Sequence, residues 1–360
     1  MVTLLDCIER VPSIMETILA TRKENFSSLF DSLGGDIETL DEIVLAGSGT
    51  SNTSALTSRI FLEKASGLKT TVAYPNDFCY NTFCYNPRAL YIFTSQTGNS
   101  IVARQAQKMM RERGLHTLSI TESPDTPIAR ESAVHADMCC GKEEYPTRVI
   151  GYCASVFIHM ILGMEIGLRR GTLSCSGYDE YTACAQAVPG SHRNITKDAM
   201  QWFDTVKRQL FRSRCILFTG PDALQGVAQE GAVKIWEIPQ IISAGYELEE
   251  GLHGPNYGYN HNHCVVVLNH GGRDSDKALA LARWMKDVYH NGLVIGNPVV
   301  DDKDFSINLV GCDFDCLEIA PVIQIIAYRL ALDGGRDLFA PNDNSVMERY
   351  FKTHQEESQK

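Results

Sequence analysis

Both of the common nucleotide-binding patterns are missing from this sequence. Neither G-x-x-x-x-G-K-[ST] nor G-x-G-x-x-G occurs in its 360 residues, which argues against a nucleotide as the ligand. Basic residues are also in deficit, since 33 Lys and Arg stand against 44 Asp and Glu, for a net charge of -11. Nucleic acid is therefore an unfavourable partner, whereas a small phosphorylated ligand is compatible with this charge because a local site can bind it.

The sequence has no long uninterrupted apolar run. The longest, residues 154–168, contains His159 and Glu165 and is too short and too polar for a membrane span. The N-terminus shows no basic flank followed by an apolar segment, so we expect no signal peptide. These absences predict a cytoplasmic protein without a membrane partner.

No pair among the twelve cysteines forms a C-x-x-C motif. Cysteines scattered without a framework favour free thiols in a reducing cytosol over disulfides. His253, His261, His263 and Cys264 lie close together in the sequence, but their spacing fits no familiar metal site. Loop and strand-entry positions explain these four residues better, and we expect neither a metal nor another cofactor.

What the sequence does have is a regular alternation of short apolar runs and amphipathic segments. An N-terminal helix is predicted over residues 6–33, and a long aromatic loop over 75–87. The first half predicts strands at 42–46, 69–74, 89–93, 116–121 and 136–139. Helices between these strands make this an α/β fold with a doubly wound parallel sheet, flavodoxin-like in its strand order 2-1-3-4-5.

Two hydroxyl-rich turns follow strands that this order makes neighbours. Residues 47–54 read G-S-G-T-S-N-T-S, and residues 94–100 read T-S-Q-T-G-N-S, each after a predicted strand and at the start of a predicted helix. Hydroxyls and glycines beside a helix N-terminus bind anions well. Because ligands bind where the strand order reverses, we expect the two turns to converge on one phosphate group. Alternatively, Thr50 or Ser51 is no more than an N-cap.

The second half repeats the pattern of the first. Residues 43–51, I-V-L-A-G-S-G-T-S, correspond to residues 216–224, I-L-F-T-G-P-D-A-L. Residues 93–100, F-T-S-Q-T-G-N-S, correspond to residues 267–275, V-L-N-H-G-G-R-D-S. We interpret this as a duplicated domain whose second copy kept the sheet and lost the phosphate-binding turn. Its strands are predicted at 215–219, 241–244, 264–268, 293–295 and 306–310. The predicted organisation is an N-terminal helix (1–34), a first domain (35–170), a linker helix (171–195), a second domain (196–335) and a tail (336–360).

Three charged residues in the second half have the spacing of one helical face. Glu230, Lys234 and Glu237 lie at positions i, i+4 and i+7 of a helix predicted to begin near residue 221. A carboxylate beside an ammonium and within reach of an imidazole can transfer protons. The alternative is an ordinary ion pair on a solvated helix face.

The chain resembles the tandem sugar isomerase (SIS) domains in three segments. These are G-T-S, S-Q-T-G-N-S, and E-G-A-V-K-I-W-E followed sixteen residues later by H-G-P. The resemblance covers residues 35–345 and is greatest to the isomerase half of glucosamine-6-phosphate synthase and to the fructosamine- and fructoselysine-6-phosphate deglycases. It implies two αβα domains, each with a five-stranded parallel sheet, in a homodimer or a higher oligomer.

The resemblance also implies roles for individual residues. Glu237 is expected to be the base that moves a proton between C1 and C2 of the sugar, with Lys234 one turn before it. His253 is expected to be the ring-opening histidine, contributed by the other subunit, and Glu230 matches a family acid of less defined role. The family's phosphate contacts fall on Thr50, Ser51, Ser95, Gln96, Thr97 and Ser100.

Departures from the family narrow the activity that the resemblance implies. The amide-transferring half with its N-terminal nucleophilic cysteine is absent, so we do not expect ammonia transfer from glutamine. Asn99 replaces a family acid, and Asn344 stands about where the synthase has a lysine that touches the open sugar. We therefore predict an enzyme that binds a sugar 6-phosphate and acts as a 6-phosphofructosamine-type deglycase. The alternatives are an aldose–ketose isomerase without amine release, a non-catalytic sugar-phosphate sensor and a purely structural dimer.

Overall fold

The computed structural model describes residues 2–145, 147–339 and 346–354. Its helices alternate with strands along both halves of the chain. The helices are α1 Leu4–Asn25, α2 Ser27–Leu33, α3 Thr50–Ser66, α4 Pro75–Tyr80, α5 Ile101–Glu112, α6 Pro127–Arg130, α7 Ile150–Arg170, α8 Cys175–Arg212, α9 Leu224–Glu237, α10 Leu248–Leu252, α11 Ser275–Tyr289 and α12 Asp315–Asp333. Short 3₁₀ segments cover Gly34–Glu38, Pro255–Gly258 and Met347–Arg349.

The first sheet has the predicted strand order. Its strands are β1 Glu42–Ala46, β2 Lys69–Ala73, β3 Ala89–Thr94, β4 His116–Thr121 and β5 His135–Asp137. They pair in parallel in the order β2-β1-β3-β4-β5. The flavodoxin-like prediction is therefore confirmed for this half.

The second sheet repeats this topology. Its strands are β6 Cys215–Gly220, β7 Ile242–Glu247, β8 His263–Asn269, β9 Gly292–Gly296 and β10 Phe305–Ser306. All pairs are parallel, and the order β10-β9-β8-β6-β7 is that of the first sheet read from the opposite edge. The predicted duplication of the fold is thus confirmed, although the last strand is shorter than the sequence pattern indicated.

Two segments differ from the sequence prediction. The expected aromatic loop over 75–87 contains α4, which begins at Pro75, a residue well suited to the first turn of a helix. The helix predicted over the linker, 171–195, begins at Cys175 and is the first part of α8, which has 38 residues and continues through Pro189. Proline lowers the propensity for helix, but burial of neighbouring apolar side chains such as Ala185 and Val188 overrides it.

The chain divides into two compact units. Residues 13–181 and 341–360 form the first unit, which holds the first sheet, and residues 1–12 and 182–340 form the second. The divisions after residues 12 and 181 fall inside helices, since α1 and α8 each contribute residues to both units. The domain boundaries predicted from the sequence, at residues 34, 170, 195 and 335, stay predictions.

Helix α7 forms the centre of the first unit. It is long and apolar enough to cross a membrane, but its apolar stretch is entirely buried within the protein, as in a core helix. Close packing against α3 depends on Gly167, where an added Cβ would lie 1.9 Å from the carbonyl oxygen of Ala65. The backbones of α3 and α7 therefore meet at a position that tolerates no side chain.

We expect Gly167→Ala to destabilise the protein by about 1–3 kcal/mol, because the new methyl group collides with backbone atoms of α3. Gly190→Ala is the matched control, since Gly190 lies exposed within α8 with no atom within 4 Å of an added Cβ. Alanine at that position should stabilise the helix by about 0.5–1 kcal/mol. Urea unfolding of the two variants measures both effects, and equal shifts of the midpoint in the same direction would contradict this account.

Candidate functional site

The first hydroxyl-rich turn joins β1 to α3. Gly47 has to be a glycine, because a Cβ there would lie 2.7 Å from the Cβ of Ser51. Gly49 precedes the helix with φ +58° and occupies the N-cap position. Thr50 and Ser51 are thus the first helical residues, and the interpretation of either as an N-cap is wrong. Both stay partly exposed at the positive end of the α3 dipole, where an anion is favoured.

The second turn joins β3 to α5. Ser95 follows the strand and is buried, and its amide donates to the carbonyl of Ile120 on β4 at 3.1 Å. Gly98 adopts φ +65°, and Thr97 and Ser100 lie partly exposed before the helix begins. The turn therefore presents hydroxyl groups beside a second helix N-terminus.

The two turns leave the same edge of the sheet. Strands β1 and β3 pair in parallel with Ala46 opposite Phe93, so each turn begins at the same level. Neighbouring strands lie about 4.8 Å apart. The structure thus brings together the six predicted phosphate contacts at the carboxyl ends of two adjacent strands: Thr50, Ser51, Ser95, Gln96, Thr97 and Ser100.

The side chain of Gln96 is bound within the protein. Its Nε2 donates to Glu143 Oε2 at 3.0 Å, and its Oε1 lies against Gly151, where an added Cβ would be 2.0 Å away. The other oxygen of Glu143 accepts from the amides of Val149 and Ile150 at 2.8 and 3.2 Å, which fixes this carboxylate at the start of α7. Gln96 is therefore positioned by Glu143, a buried residue to which the sequence pattern assigned no role of its own.

The C-terminal segment reaches the second turn. The amide of Ile101, the first residue of α5, donates to the carbonyl of Thr353 at 3.2 Å, and Ser100 forms an antiparallel bridge with His354. The groups at this edge that can bind an anion are consequently the N-terminus of α3 and the part of the second turn before Ser100. Asn344, predicted to face the sugar, lies outside the residues that the structure describes.

Charged groups near the turns are mostly acidic. Glu122 follows β4, its amide donates to the carbonyl of Gln96 at 2.9 Å, and burial raises the pKa of its carboxyl group although Arg148 opposes the shift. The guanidinium of Arg148 donates to the carbonyl oxygens of Glu143 and Tyr145. Hydroxyls, amides and helix dipoles are therefore the groups that these turns offer to a negative charge.

The second unit contains a buried ion pair on α9. Lys234 Nζ lies 3.3 Å from Glu230 Oε1 and 2.7 Å from Glu237 Oε2. Glu230 and Lys234 are fully buried, so the alternative of an ion pair on a solvated face is wrong. Burial by itself would lower the pKa of Lys234, but the two carboxylates outweigh it and raise this pKa. The lysine is thus charged and held in place.

Glu237 is the member of this set that can meet a ligand. Its side chain is 42% exposed, while one of its oxygens is bound by Lys234. It is the last residue of α9, where the chain turns towards β7. A carboxylate with a fixed orientation and solvent access has the features that general acid–base catalysis requires.

His253 lies just after α10 and is 70% exposed. Its Nε2 is 3.0 Å from Glu249 Oε1, and Glu249 also pairs with Lys277. Within the described ranges, the structure shows no contact between His253 and Glu237. That this histidine contributes to the site of another subunit stays a prediction. The exposure of His253 is compatible with it.

The corresponding edge of the second sheet carries a different set of side chains, which sequence patterns did not single out. His270, at the end of β8, has Nδ1 at 3.3 Å from Asp315 Oδ2 and Nε2 at 3.6 Å from Asp222 Oδ2. Burial raises the pKa of Asp315, while the nearby imidazole acts in the opposite direction. These groups replace the hydroxyls of the first sheet, consistent with the expectation that the second copy lost the phosphate-binding turn.

Comparison with known proteins agrees with this geometry. The family model described as SIS domain matches residues 37–160, which include the first sheet and both hydroxyl-rich turns. The glutamine–fructose-6-phosphate aminotransferase (isomerizing) of Tropheryma whipplei (strain Twist) is 27% identical over 349 residues. That alignment covers 92% of this chain and 56% of the relative, so the chain spans about half the length of the curated relatives it matches.

Solved structures share the fold over nearly the whole chain. One described as a phosphosugar isomerase, from Clostridium difficile 630, superposes with a TM-score of 0.87 at 22% identity and covers 99% of this chain and 100% of that one. The C-terminal domain of glucosamine-fructose-6-phosphate aminotransferase from Francisella tularensis has a TM-score of 0.83 at 20% identity, covering 94% and 97%. Residues 37–160 of this chain thus match the SIS domain, and its two parallel five-stranded sheets have the fold of these tandem-domain structures.

Proposed function

We propose that this protein is an enzyme of phosphorylated amino sugar metabolism, a deglycase that acts on a 6-phosphofructosamine-type ketosamine. The observation that carries the proposal is the Glu237 carboxylate, which is exposed to solvent while buried Lys234 fixes its orientation. A protein that only binds a sugar phosphate needs no such carboxylate. The SIS domain matched at residues 37–160 supports a carbohydrate derivative as the ligand.

The phosphate group is assigned to the first unit. Thr50, Ser51, Ser95 and Thr97 offer hydroxyls, and the N-terminus of α3 offers amides and the positive end of its dipole. Gln96 contributes through the shape of the turn, since its side chain is bound to Glu143. No cofactor is required for the chemistry that follows.

The reaction is a proton transfer followed by hydrolysis. His253 assists opening of the sugar ring, and Glu237 removes a proton from C1 of the open ketosamine, which gives an enolamine with a double bond between C1 and C2. Return of a proton to C2 leaves an imine between C1 and the amine nitrogen. Water adds to C1, the C–N bond breaks, and an amine and an aldose 6-phosphate leave. Water is the co-reactant, and no group is oxidised or reduced overall.

An aldose–ketose isomerase is the second candidate. It needs the same proton transfer between C1 and C2, with an oxygen instead of a nitrogen on C1. The names of the T. whipplei relative and the C. difficile neighbour favour isomerisation. The departure at Asn99, where the synthase has an acid, disfavours synthase-type amination of the sugar and leaves both candidates open, of which the deglycase is our proposal.

Localisation and assembly are part of the proposal. A cytoplasmic location agrees with the scatter of the twelve cysteines, none of them in a C-x-x-C motif, and with the complete burial of the apolar α7. A homodimer agrees with the exposure of His253, which lies between α10 and the 3₁₀ segment Pro255–Gly258 that contains the highly exposed Tyr257. In such a dimer each subunit supplies its histidine to the site of the other.

Replacing Glu237 by Gln should abolish turnover and leave ligand binding intact, because the amide cannot accept the proton. We expect kcat to fall at least about a hundredfold, with little change in Kd for fructose 6-phosphate. The assay follows amine release from 6-phosphofructosamines and aldose–ketose conversion of hexose 6-phosphates. Glu112→Gln is the control, since Glu112 is also the exposed last residue of a helix. Turnover that survives in Glu237→Gln contradicts this assignment of the base.

Lys234→Met should destabilise the protein by about 3–5 kcal/mol, because Glu230 would then be a buried charge without its partner. The double variant Glu230→Gln/Lys234→Met should be at least about 1 kcal/mol more stable than the sum of the single variants indicates. Since the pKa of Lys234 is raised on folding, its contribution is present at neutral pH and is lost only as pH rises through that raised pKa. Urea unfolding at pH 7 measures the cycle, and strictly additive costs would show that the pair is not coupled.

Mixing two inactive variants tests the supply of His253 by the other subunit. Glu237→Gln and His253→Ala should each be inactive alone. Refolded together, they should recover about a quarter of wild-type activity, because half of the dimers are mixed and each mixed dimer has one intact site. Recovery of no activity, with mixed dimers demonstrated by mass spectrometry, places both residues in the same subunit's site.

A further inference from the structure

His159 is a fully buried histidine for which the proposed reaction has no use. It lies on α7, at the centre of the first unit. Its Nδ1 is 2.9 Å from Ser58 Oγ on α3, and its Nε2 is 2.9 Å from Thr94 Oγ1, on the last residue of β3. One side chain therefore joins the two elements from which the hydroxyl-rich turns extend.

The neighbouring hydrogen bonds determine which tautomer His159 adopts. The hydroxyl of Ser58 donates its one proton to the carbonyl of Ser54 at 2.9 Å, so its oxygen accepts from Nδ1–H of the imidazole. Nε2 then carries no proton and accepts from the hydroxyl of Thr94. Burial lowers the pKa of His159 to about 3, so the ring stays neutral and this arrangement persists over the physiological pH range.

The same hydrogen-bonded series reaches the first turn. The hydroxyl of Ser54 donates to the carbonyl of Ser51 at 3.0 Å, one helical turn before Ser58. We call Ser51, Ser54, Ser58, His159 and Thr94 the hydroxyl ladder. Ser51, at one end of the ladder, belongs to the first turn. Thr94, at the other end, directly precedes Ser95 in the second turn.

A second buried link between α3 and α7 provides a comparison. Tyr152 OH and Thr57 Oγ1 are 2.8 Å apart, and the threonine hydroxyl is also 2.8 Å from the carbonyl of Thr53, to which it donates. This pair joins the same two helices as His159, and both of its residues lie on those helices, whereas His159 also bonds Thr94 of β3. Loss of the tyrosine hydroxyl thus removes a bond between α3 and α7 and leaves the bond between His159 and Thr94 in place.

We propose that His159 is a positioning residue that fixes the first hydroxyl-rich turn relative to the second. The proposal rests on the function proposed above, in which both turns bind one phosphate group. Donors on separate elements bind a phosphate tightly only when their spacing is preorganised. Nδ1 of the ring bonds α3 through Ser58, and Nε2 bonds β3 through Thr94.

The test compares His159→Leu with Tyr152→Phe, because each removes buried polar contacts of α7 from the same core. We expect His159→Leu to raise Kd for fructose 6-phosphate roughly tenfold, whereas Tyr152→Phe raises it less than about twofold. In turnover assays the KM of His159→Leu should rise by a similar factor with kcat nearly unchanged, since Glu237 is untouched. Equal Kd values for the two variants, or a fall in kcat alone, would overturn the proposal.

Milder variants keep the test available if His159→Leu does not fold. His159→Gln retains one donor and one acceptor and should restore part of the affinity. Thr94→Val removes only the hydrogen bond to β3 at nearly constant shape and should raise Kd several-fold. If neither changes Kd relative to Tyr152→Phe, the ladder has no positioning role.

Hydrogen exchange of the free protein separates this inference from the proposed function. His159→Gln should accelerate amide exchange in residues 47–51 and 95–100, and Tyr152→Phe should not. Wild-type protein that fails to bind fructose 6-phosphate, combined with this exchange pattern, would contradict the function and leave the positioning role standing. Unchanged exchange in both turns would overturn the positioning role even if the sugar phosphate binds.

Discussion

Parallel pairing of β1 with β3 is the constraint on which the candidate phosphate site depends. Strands that are separated in the sequence by β2 become neighbours, and their carboxyl ends lie at the same level. Each end leads into a hydroxyl-rich turn, so the N-terminus of α3 and the hydroxyls of the second turn lie at one edge of the sheet. Beneath the turns, Gly167 of α7 packs against Ala65 of α3, and the ring of His159 bonds Ser58 of α3 and Thr94 of β3. These buried contacts hold α3 and β3 in a fixed position relative to each other.

Buried charge is the corresponding constraint in the second unit. A lysine and a glutamate inside the protein are costly unless they are paired and hydrogen-bonded. Lys234 meets this condition through Glu230 on one side and Glu237 on the other. The result is an exposed carboxylate whose orientation is determined from the interior. A surface ion pair of the same spacing would leave Glu237 free to adopt many rotamers.

The two sheets show how one topology supports two chemistries. Both have the same parallel strand order, yet the edge that carries Thr50 and Ser95 in the first sheet carries Asp222 and His270 in the second. Topology determines where a ligand site can form, and the residues after each strand determine what it can bind. Only the hydroxyl-bearing edge suits a phosphate, because carboxylates would repel it.

The sequence alone determined the class of fold, the strand order and the location of both turns, because apolar runs and glycines report backbone geometry locally. It also placed Glu230, Lys234 and Glu237 on one helical face, since that follows from the helical period. It did not show that this face is buried, that Gln96 is bound to Glu143, that α8 continues through Pro189, or that His159 joins α3 to β3. Those outcomes depend on contacts between residues far apart in the chain, and only the tertiary structure decides which side chains lose water and which partners they meet.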